Sequence, residues 1–576
     1  MNGGEIIAKI LVKHDVKYLF TLCGGHISPI FVAAEKSGIR VIDTRHEATA
    51  VFAADAVSRL SGVPGVATVT AGPGVTNTVT AVKNAALAQS PLILLGGAAA
   101  TILKGRGSLQ DIDQLSIMKS VCKWSMTITR VRDIVPVLEM AFRKCQEGIP
   151  GPVFVECPID ILYDEDLVKS WYNVKSRDTN PTDLKTRFLA WYVNRHVHKI
   201  FDGAGNMDFD RPVTKPTFSK HTTGDITRAV QMLKTASKPL FVIGSGAMMQ
   251  ANKVHQLAQA LDRLGIPVYL SGMARGLLGK NHPLQLRHHR KDAIKDADLI
   301  ILAGVPNDFR LDYGNHIGRR PFISINRSKE DLFKNKKPTL AFLADPMDFV
   351  IDLSGAYQFS PDEWISHLKQ RDMSREDHIT EKAAQTHNGG INPLALFRHL
   401  EENLGNDTIL VADGGDFVAS ASYTLQPRGP LSWLDPGVYG TLGVGAGFAI
   451  GAKLVHPEKD VWIVYGDGSA GYSLMEYDTY QRLGLSINAL IGNDACWGQI
   501  ARDQVELLHS DCAMNLAYSD YQMIAMAFGG DGIRVDNLDD FKTAVQKAKA
   551  SSMNKIPYII NAILAKSDFR KGSISV

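Results

Sequence analysis

Val461-Trp-Ile-Val-Tyr465 running into Gly466-Asp467-Gly468, and Ile487-Asn-Ala-Leu-Ile-Gly492 running into Asn493-Asp494, are the two stretches that decide how this chain is read. Each is a short apolar run of strand type, and each ends on a side chain that carries a hard oxygen. Open α/β sheets bind ligands at the carboxyl ends of their strands. A divalent cation with a diphosphate fits between two such ends. Mg²⁺ suits the set, because it takes few protein oxygens and completes its octahedron with phosphate and water. Gly-Asp-Gly alone is a common turn; the strand before it and the Asn-Asp after it give it weight.

Working outward, short apolar strands alternate with helical stretches along most of the chain, the pattern of βαβ units. We read an α/β chain of three domains, each with a mostly parallel central sheet flanked by helices. Residues 1–165 form the first, with strands at 17–20, 40–43, 66–70, 91–95 and 152–156. Residues 166–220 are polar and read as a linker with one helix, Leu184–Phe201. The second domain, 221–355, has strands at 239–246, 267–270, 298–302 and 322–325. A charged stretch makes 356–389 a second linker. The third domain, 390–576, has strands at 408–411, 461–465, 487–491 and 558–563. The glycine-rich run 440–455 is too short to span a bilayer and reads as a tightly packed helix. The first and third domains are candidates for a shared fold.

Composition narrows the function classes. The 576 residues carry a formal net charge of +3, so there is no electrostatic case for nucleic acid. Cys23, Cys122, Cys145, Cys157, Cys496 and Cys512 are scattered, without a Cys-x-x-Cys pair. That spacing predicts free thiols in a reducing compartment, neither a disulfide framework nor a zinc site. No signal peptide and no long apolar segment is visible, so the sequence by itself predicts a cytoplasmic protein.

A second constellation lies in the first domain. Thr44-Arg45-His46-Glu47 follows the strand at 40–43 and opens a helix of small residues. A glutamate there could simply compensate the helix dipole. Thr70-Ala-Gly72-Pro73-Gly74 and Tyr439-Gly440-Thr-Leu442-Gly-Val-Gly-Ala-Gly447 are glycine-rich turns that allow close backbone approach.

Together these motifs resemble thiamine-diphosphate (ThDP) enzymes, and the resemblance covers nearly the whole chain. It implies a first domain that binds the aminopyrimidine, a central nucleotide-fold domain, and a third domain that binds the diphosphate and Mg²⁺. Glu47 would be the carboxylate against N1' of the aminopyrimidine, which activates C2. Asp467, Asp494 and the carbonyl of Cys496 would hold the metal; the family has Asn-Asn where this chain has Asn493-Asp494, and Asn493 is the alternative ligand. Leu442 would hold the cofactor bent. Gly72, Pro73, Asn77, Gly414, Asp416, Gly440, Gly466, Gly468, Ser469 and Trp497 complete the expected cofactor contacts. Because the family builds its site from two subunits, a homodimer or homotetramer is expected.

Within the family, acetolactate synthases, benzaldehyde lyases and 2-hydroxyacyl-CoA lyases compete. Cys23-Gly-Gly-His26-Ile-Ser-Pro29 resembles the benzaldehyde lyase loop, which makes His26 a candidate for moving a substrate hydroxyl proton. Gln110, in Gly105-Arg-Gly-Ser-Leu-Gln110-Asp-Ile-Asp-Gln114, resembles a family glutamine that binds substrate oxygens. Leu109 and Asp111 replace its Phe and Glu neighbours. The central segments Gly272-Met-Ala-Arg-Gly-Leu-Leu-Gly279 and Ala303-Gly-Val-Pro-Asn-Asp-Phe-Arg310 resemble the acyl-CoA lyases of the animal endoplasmic-reticulum type, as do Trp433-Leu-Asp-Pro-Gly437 and the end of the chain, 568–576. There Arg275, Lys280, Arg287, Arg290 and Arg310 could meet the phosphates of CoA or ADP, with a solvated basic face as the alternative. FAD is not expected.

The resemblance therefore implies a ThDP- and Mg²⁺-dependent lyase that cleaves a 2-hydroxyacyl-CoA to formyl-CoA and an aldehyde one carbon shorter, with His26, Glu47 and Gln110 as catalytic residues. It implies the endoplasmic reticulum as location and a membrane anchor outside this chain. For the helix Leu184–Phe201, burial in the linker is expected rather than contact with a membrane surface. The alternatives are an acetolactate synthase, a carboligase, and an inactive scaffold.

Overall fold

A computed structural model describes residues 1–173, 184–205, 207–210, 212–213, 216–360, 362–387 and 389–571. The chain divides into two compact units, 1–58 with 63–217, and 59–62 with 218–576. The second unit contains two sheets, so there are three sheets of six strands among the described residues.

In the first unit the strands are β1 (Tyr18–Leu22), β2 (Arg40–Asp43), β3 (Gly65–Val69), β4 (Leu92–Ala98), β5 (Trp124–Thr127) and β6 (Pro152–Pro158). They lie in the order β2-β1-β3-β4-β6-β5, every pair parallel. The chain goes outward from β1 to β2, then returns to place β3 on the other side of β1. That reversal opens a crevice at the carboxyl edge, the place where doubly wound sheets take ligands.

In the second unit, β7 (Pro239–Ile243), β8 (Val268–Leu270), β9 (Gln285–Leu286), β10 (Leu299–Ala303), β11 (Phe322–Asn326) and β12 (Leu340–Leu343) form one sheet in the order β12-β11-β10-β7-β8-β9. The other contains β13 (Thr408–Asp413), β14 (Trp433–Leu434), β15 (Asp460–Gly466), β16 (Ile487–Asn493), β17 (Asp531–Val535) and β18 (Tyr558–Ile563), ordered β14-β13-β15-β16-β18-β17. This is the strand order of the first unit, position for position. The two outer domains share one topology, which their sequences do not display as a repeat.

The central strands are apolar on both faces because helices cover both faces of a parallel sheet. β3, β4, β6, β7, β10, β11, β13, β16 and β18 are buried along their whole length. The strands absent from the sequence reading, β5, β9, β12, β14 and β17, are all edge strands. An edge strand pairs on one side only and is half exposed, so it needs no continuous apolar run; β17, Asp531-Gly-Ile-Arg-Val535, is an example.

The charged stretch read as a linker holds a 22-residue helix, Asp362–Ala383. It buries Trp364, Leu368 and Ile379, too few apolar positions to show through its charges. The glycine-rich run yields the helix Val444–Val455, buried from Val444 to Ala452. The helix Leu184–Phe201 has the expected bounds but not the expected burial. Phe188, Trp191 and Tyr192 are 65%, 53% and 43% exposed, so it is not a buried linker helix. No described helix is long and apolar enough to cross a membrane. All six cysteines are free.

Candidate active site

The first unit gathers its candidates at the carboxyl edge of its sheet. Glu47 is the first residue of the helix Glu47–Ser61, which begins just beyond β2. It is 7% exposed, and its Oε2 accepts a 3.0 Å hydrogen bond from Asn77 Nδ2. Asn77 caps the short helix Pro73–Thr76 beyond β3 and so supports Glu47. Gly72, ahead of that helix, has φ +61, and a Cβ there would lie 2.9 Å from the carbonyl oxygen of Gln110. Glycine is required on both counts: the left-handed backbone and the contact. His26, half-buried beyond β1, places Nδ1 3.3 Å from Thr70 Oγ1. Burial lowers its pKa, so the ring is neutral near pH 7 and can accept a proton.

Gln110 and Gln114 exchange prominence. Gln114 is 1% exposed, accepts from the Gly72 N–H at 3.1 Å and donates to the Gly97 carbonyl at 2.7 Å. It ties the β3 turn to the end of β4, a role that the sequence reading did not assign. Gln110, at φ +64, contributes its backbone to the Gly72 contact. Its side chain makes no hydrogen bond to the described residues and remains free for a ligand.

In the second unit, a cleft of about 230 Å³ opens where β13, β15 and β16 end. Gly414, Asp416, Gly440, Leu442, Gly466, Asp467, Gly468, Ser469, Asp494, Cys496 and Trp497 all line it. Asp467 opens the short helix Asp467–Ala470 directly after β15 and is 4% exposed. Its Oδ1 accepts from the Gly468 N–H at 2.8 Å, and its Oδ2 from the Cys496 N–H at 3.3 Å. The strands β15 and β16 are neighbours, with Gly466 beside Gly492. Asp467 and Asp494 therefore face one cleft. Trp497 packs its ring against Gly468, where any side chain would collide.

The charges are unbalanced. Burial pushes the Asp467 carboxyl up to about 6. Burial and then the charge of Asp467 push Asp494 up to about 7. Two buried carboxylates, one of them further disfavoured by the charge of the other, are what a divalent cation would stabilise. Among the described residues, no group of three His, Cys, Asp or Glu side chains gathers for a metal. Two carboxylates and the Cys496 carbonyl fit Mg²⁺, which keeps places for phosphate and water.

Three residues expected to contact the cofactor have their side chains engaged within the domain. Asn493 is fully buried at the end of β16. Its amide donates to Ser519 O and Asn561 Oδ1, and its Oδ1 accepts from Ala495 N–H. This internal network occupies the Asn493 side chain, whereas Asp494 lines the cleft. The Asp416 carboxylate pairs with Arg502, so its charge is neutralised beside the cleft. Ser469 Oγ shares its hydrogen between the carbonyls of Asp413 and Gly466 and is engaged inside the domain.

Asp413, which the sequence reading passed over, is the most informative side chain missed. It is fully buried at the end of β13. Its carboxylate accepts from Gly443 N–H at 3.1 Å and Gly445 N–H at 2.8 Å, and its carbonyl accepts from Ser469. One residue thus ties together the Gly414 turn, the Leu442 loop and the Asp467 helix. The only sequence signal is a carboxylate ending an otherwise apolar strand. Burial raises its pKa to about 7.

On folding, Asp413, Asp467 and Asp494 all hold protons more tightly than a free carboxyl. Between about pH 4 and pH 7 these three groups keep protons in the folded chain that they have released in the unfolded chain, so their contribution to stability falls as pH rises. A cation binds the ionised carboxylates and opposes this trend. Added Mg²⁺ should therefore raise Tm more at about pH 7.5 than at pH 5.5, as differential unfolding scans would read. A Mg²⁺ effect independent of pH would remove these carboxylates from the metal site.

A larger cavity, about 680 Å³, lies between the carboxyl edge of the β7–β12 sheet and the helix Asp416–Thr424. Arg275, Arg287 and Arg290 line it, with His288, His289, Lys291, His316 and Arg570. Arg290 donates to the Arg310 carbonyl, and its charge is disfavoured by burial and by Arg275 and Arg310. Arg287 pairs with Glu376. Lys280 and Arg310, expected to meet phosphates, do not line the cavity; they pair with Glu401 and Asp308.

Comparison with known proteins gives a consistent result. Three family models match, described as Thiamine pyrophosphate enzyme, N-terminal TPP binding domain over residues 1–117, central domain over 226–353, and C-terminal TPP binding domain over 413–562. The chain is 49% identical to "2-hydroxyacyl-CoA lyase 2" of Danio rerio, covering 100% of this chain and 93% of that protein. It is 47% identical to the Homo sapiens protein of the same name, covering 100% and 92%. Similarity to "Acetolactate synthase large subunit IlvG" of Mycobacterium tuberculosis is 30%, covering 98% and 96%.

Proposed function

This chain belongs to the thiamine pyrophosphate enzymes, and from that premise we propose that it is a lyase cleaving 2-hydroxyacyl-CoA to formyl-CoA and an aldehyde one carbon shorter. The observation that carries the substrate class is the full-length similarity to relatives named 2-hydroxyacyl-CoA lyase 2, at 47–49% identity against 30% for the synthase. ThDP supplies, when bound, the electron sink on which a bond next to a carbonyl can break. Mg²⁺ would be held by Asp467, Asp494 and the Cys496 carbonyl, and would anchor the diphosphate.

The chain's own residues do the rest. Glu47 holds the proton at N1' of the aminopyrimidine. The neutral His26 imidazole takes the proton of the 2-hydroxyl, and Gln110 offers its amide to the substrate's oxygens. Leu442 and Trp497 exclude water from the cleft. Arg275, Arg287 and Arg290 would receive the phosphates of CoA or of a nucleotide, because an anion relieves the crowding of their charges. Assembly from at least two copies of the chain completes this reading.

The test is incubation with 2-hydroxyacyl-CoAs of graded length, with ThDP and Mg²⁺, followed for aldehyde and formyl-CoA. Acetolactate formed from pyruvate in place of those products would overturn the lyase assignment. His26→Ala should lower turnover about a hundredfold while leaving ThDP affinity within about twofold. Equal losses in both would make His26 a structural residue.

A further inference from the structure

The helix Leu184–Phe201 carries two apolar stripes, and only one of them is covered. Val197 and Ile200 are 1% and 2% exposed, and Ile200 joins the core of the first unit. His196 Nε2, next to this stripe, lies 2.8 Å from Thr101 Oγ1, and Thr101 is held by the buried Asp160. The C-terminal half of the helix is thus fastened to its domain. On the opposite side, Phe188, Trp191, Tyr192 and Arg195 follow one another at i, i+3, i+4 and i+7, with Lys199 in line. A helix on a soluble protein puts its polar residues on that side. Here the side carries three exposed aromatic rings. The Phe188 and Trp191 rings are 5.7 Å apart, and the Arg195 guanidinium lies 5.3 Å over Trp191. Arg187, also exposed, flanks the rings.

We propose that this aromatic and basic face is a docking surface for the headgroup region of an anionic lipid bilayer. Trp and Tyr favour the boundary between water and acyl chains, because their rings are apolar at one end and polar at the other. Arg and Lys next to them attract acidic headgroups and lay their stems along the apolar layer. The helix contains no Asp or Glu; on the adjoining helix Glu165–Asn173, Lys169 lies 2.9 Å from Glu165 and 4.0 Å from the exposed Asp166. A second copy of the chain is disfavoured as the occupant. A two-fold contact would bring the basic set Arg187, Arg195 and Lys199 of one copy against the same set of the other, at a cost in like-charge repulsion. The surface would hold the enzyme beside the compartment in which long-chain substrates and aldehyde products partition. The inference is independent of which carbonyl compound the active site takes.

The test is flotation of the full chain with vesicles of phosphatidylcholine, and of phosphatidylcholine mixed with phosphatidylserine. Binding to the mixed vesicles is expected, with loss at high salt. Phe188→Ser combined with Trp191→Ser should weaken that binding at least about tenfold, with turnover of a short 2-hydroxyacyl-CoA unchanged. Phe188 and Trp191 are 65% and 53% exposed and lie outside the core of the first unit, so the fold loses little packing. Arg187→Glu with Arg195→Glu should abolish the preference for phosphatidylserine. Three results would overturn the proposal: no flotation with either vesicle, flotation untouched by the aromatic pair of changes, or a drop in oligomer size in lipid-free sedimentation when those rings are removed.

Discussion

Glu47→Gln should abolish exchange of the C2 proton of bound ThDP while the cofactor still binds. The side chain has the placement that the chemistry needs. It is buried at the start of a helix beyond β2, and Asn77 donates to its Oε2. Gln keeps the shape and can still accept from Asn77, so the local structure should survive. It cannot give or take the proton at N1'. General acid–base groups contribute about 10²- to 10⁴-fold, and a loss in that range is expected in exchange and in turnover alike. Exchange followed by NMR at saturating ThDP checks it. Exchange at the wild-type rate would assign Glu47 to capping alone, and loss of ThDP binding would make it a structural residue.

Asp467→Ala should remove Mg²⁺-dependent binding of ThDP, with a loss of affinity of a hundredfold or more, ~2.7 kcal/mol. Asp467 is the residue on which the cleft's ligands converge: it accepts the N–H of Cys496 and raises the pKa of Asp494. Asp467→Asn separates charge from shape. It should lose Mg²⁺-dependent binding just as Ala does, yet leave the metal-free chain at least as stable as wild type near pH 7, because the repulsion with Asp494 is gone. Titration calorimetry gives the affinity, and thermal unfolding gives the stability. Unchanged affinity in either variant would move the metal elsewhere.

How far these sites were legible in the sequence depends on the kind of signal each leaves. β15 and β16 are central strands, so they are apolar throughout and visible, and the carboxylates that follow them stand out by contrast. Glu47 is visible because a helix of small residues begins at it. Edge strands such as β5 and β17 leave no such run. Gln110 and Gln114 are indistinguishable by residue type; only packing shows that Gln114 holds Gly72 and that Gln110 is free. Asn493 and Asp494 are adjacent and both oxygen-bearing. Their fates divide because Asn493 is the last residue of β16, held inside the sheet by the Asn561 network, and Asp494 is the first residue beyond the strand, at the cleft.

The sequence by itself determined the three α/β domains, the family, and the candidate positions for the acid and the metal. All of these depend on local periodicity and on residues next to strand ends, which a linear reading can see. Tertiary structure alone decided that Asp413 joins three loops, that the middle cavity is built from Arg275, Arg287 and Arg290 without Lys280 or Arg310, and that the aromatic stripe of Leu184–Phe201 faces outward. The reason is physical: hydrogen bonds, burial and charge crowding are set by residues far apart in the chain, as when the N–H groups of Gly443 and Gly445 meet the carboxylate of Asp413.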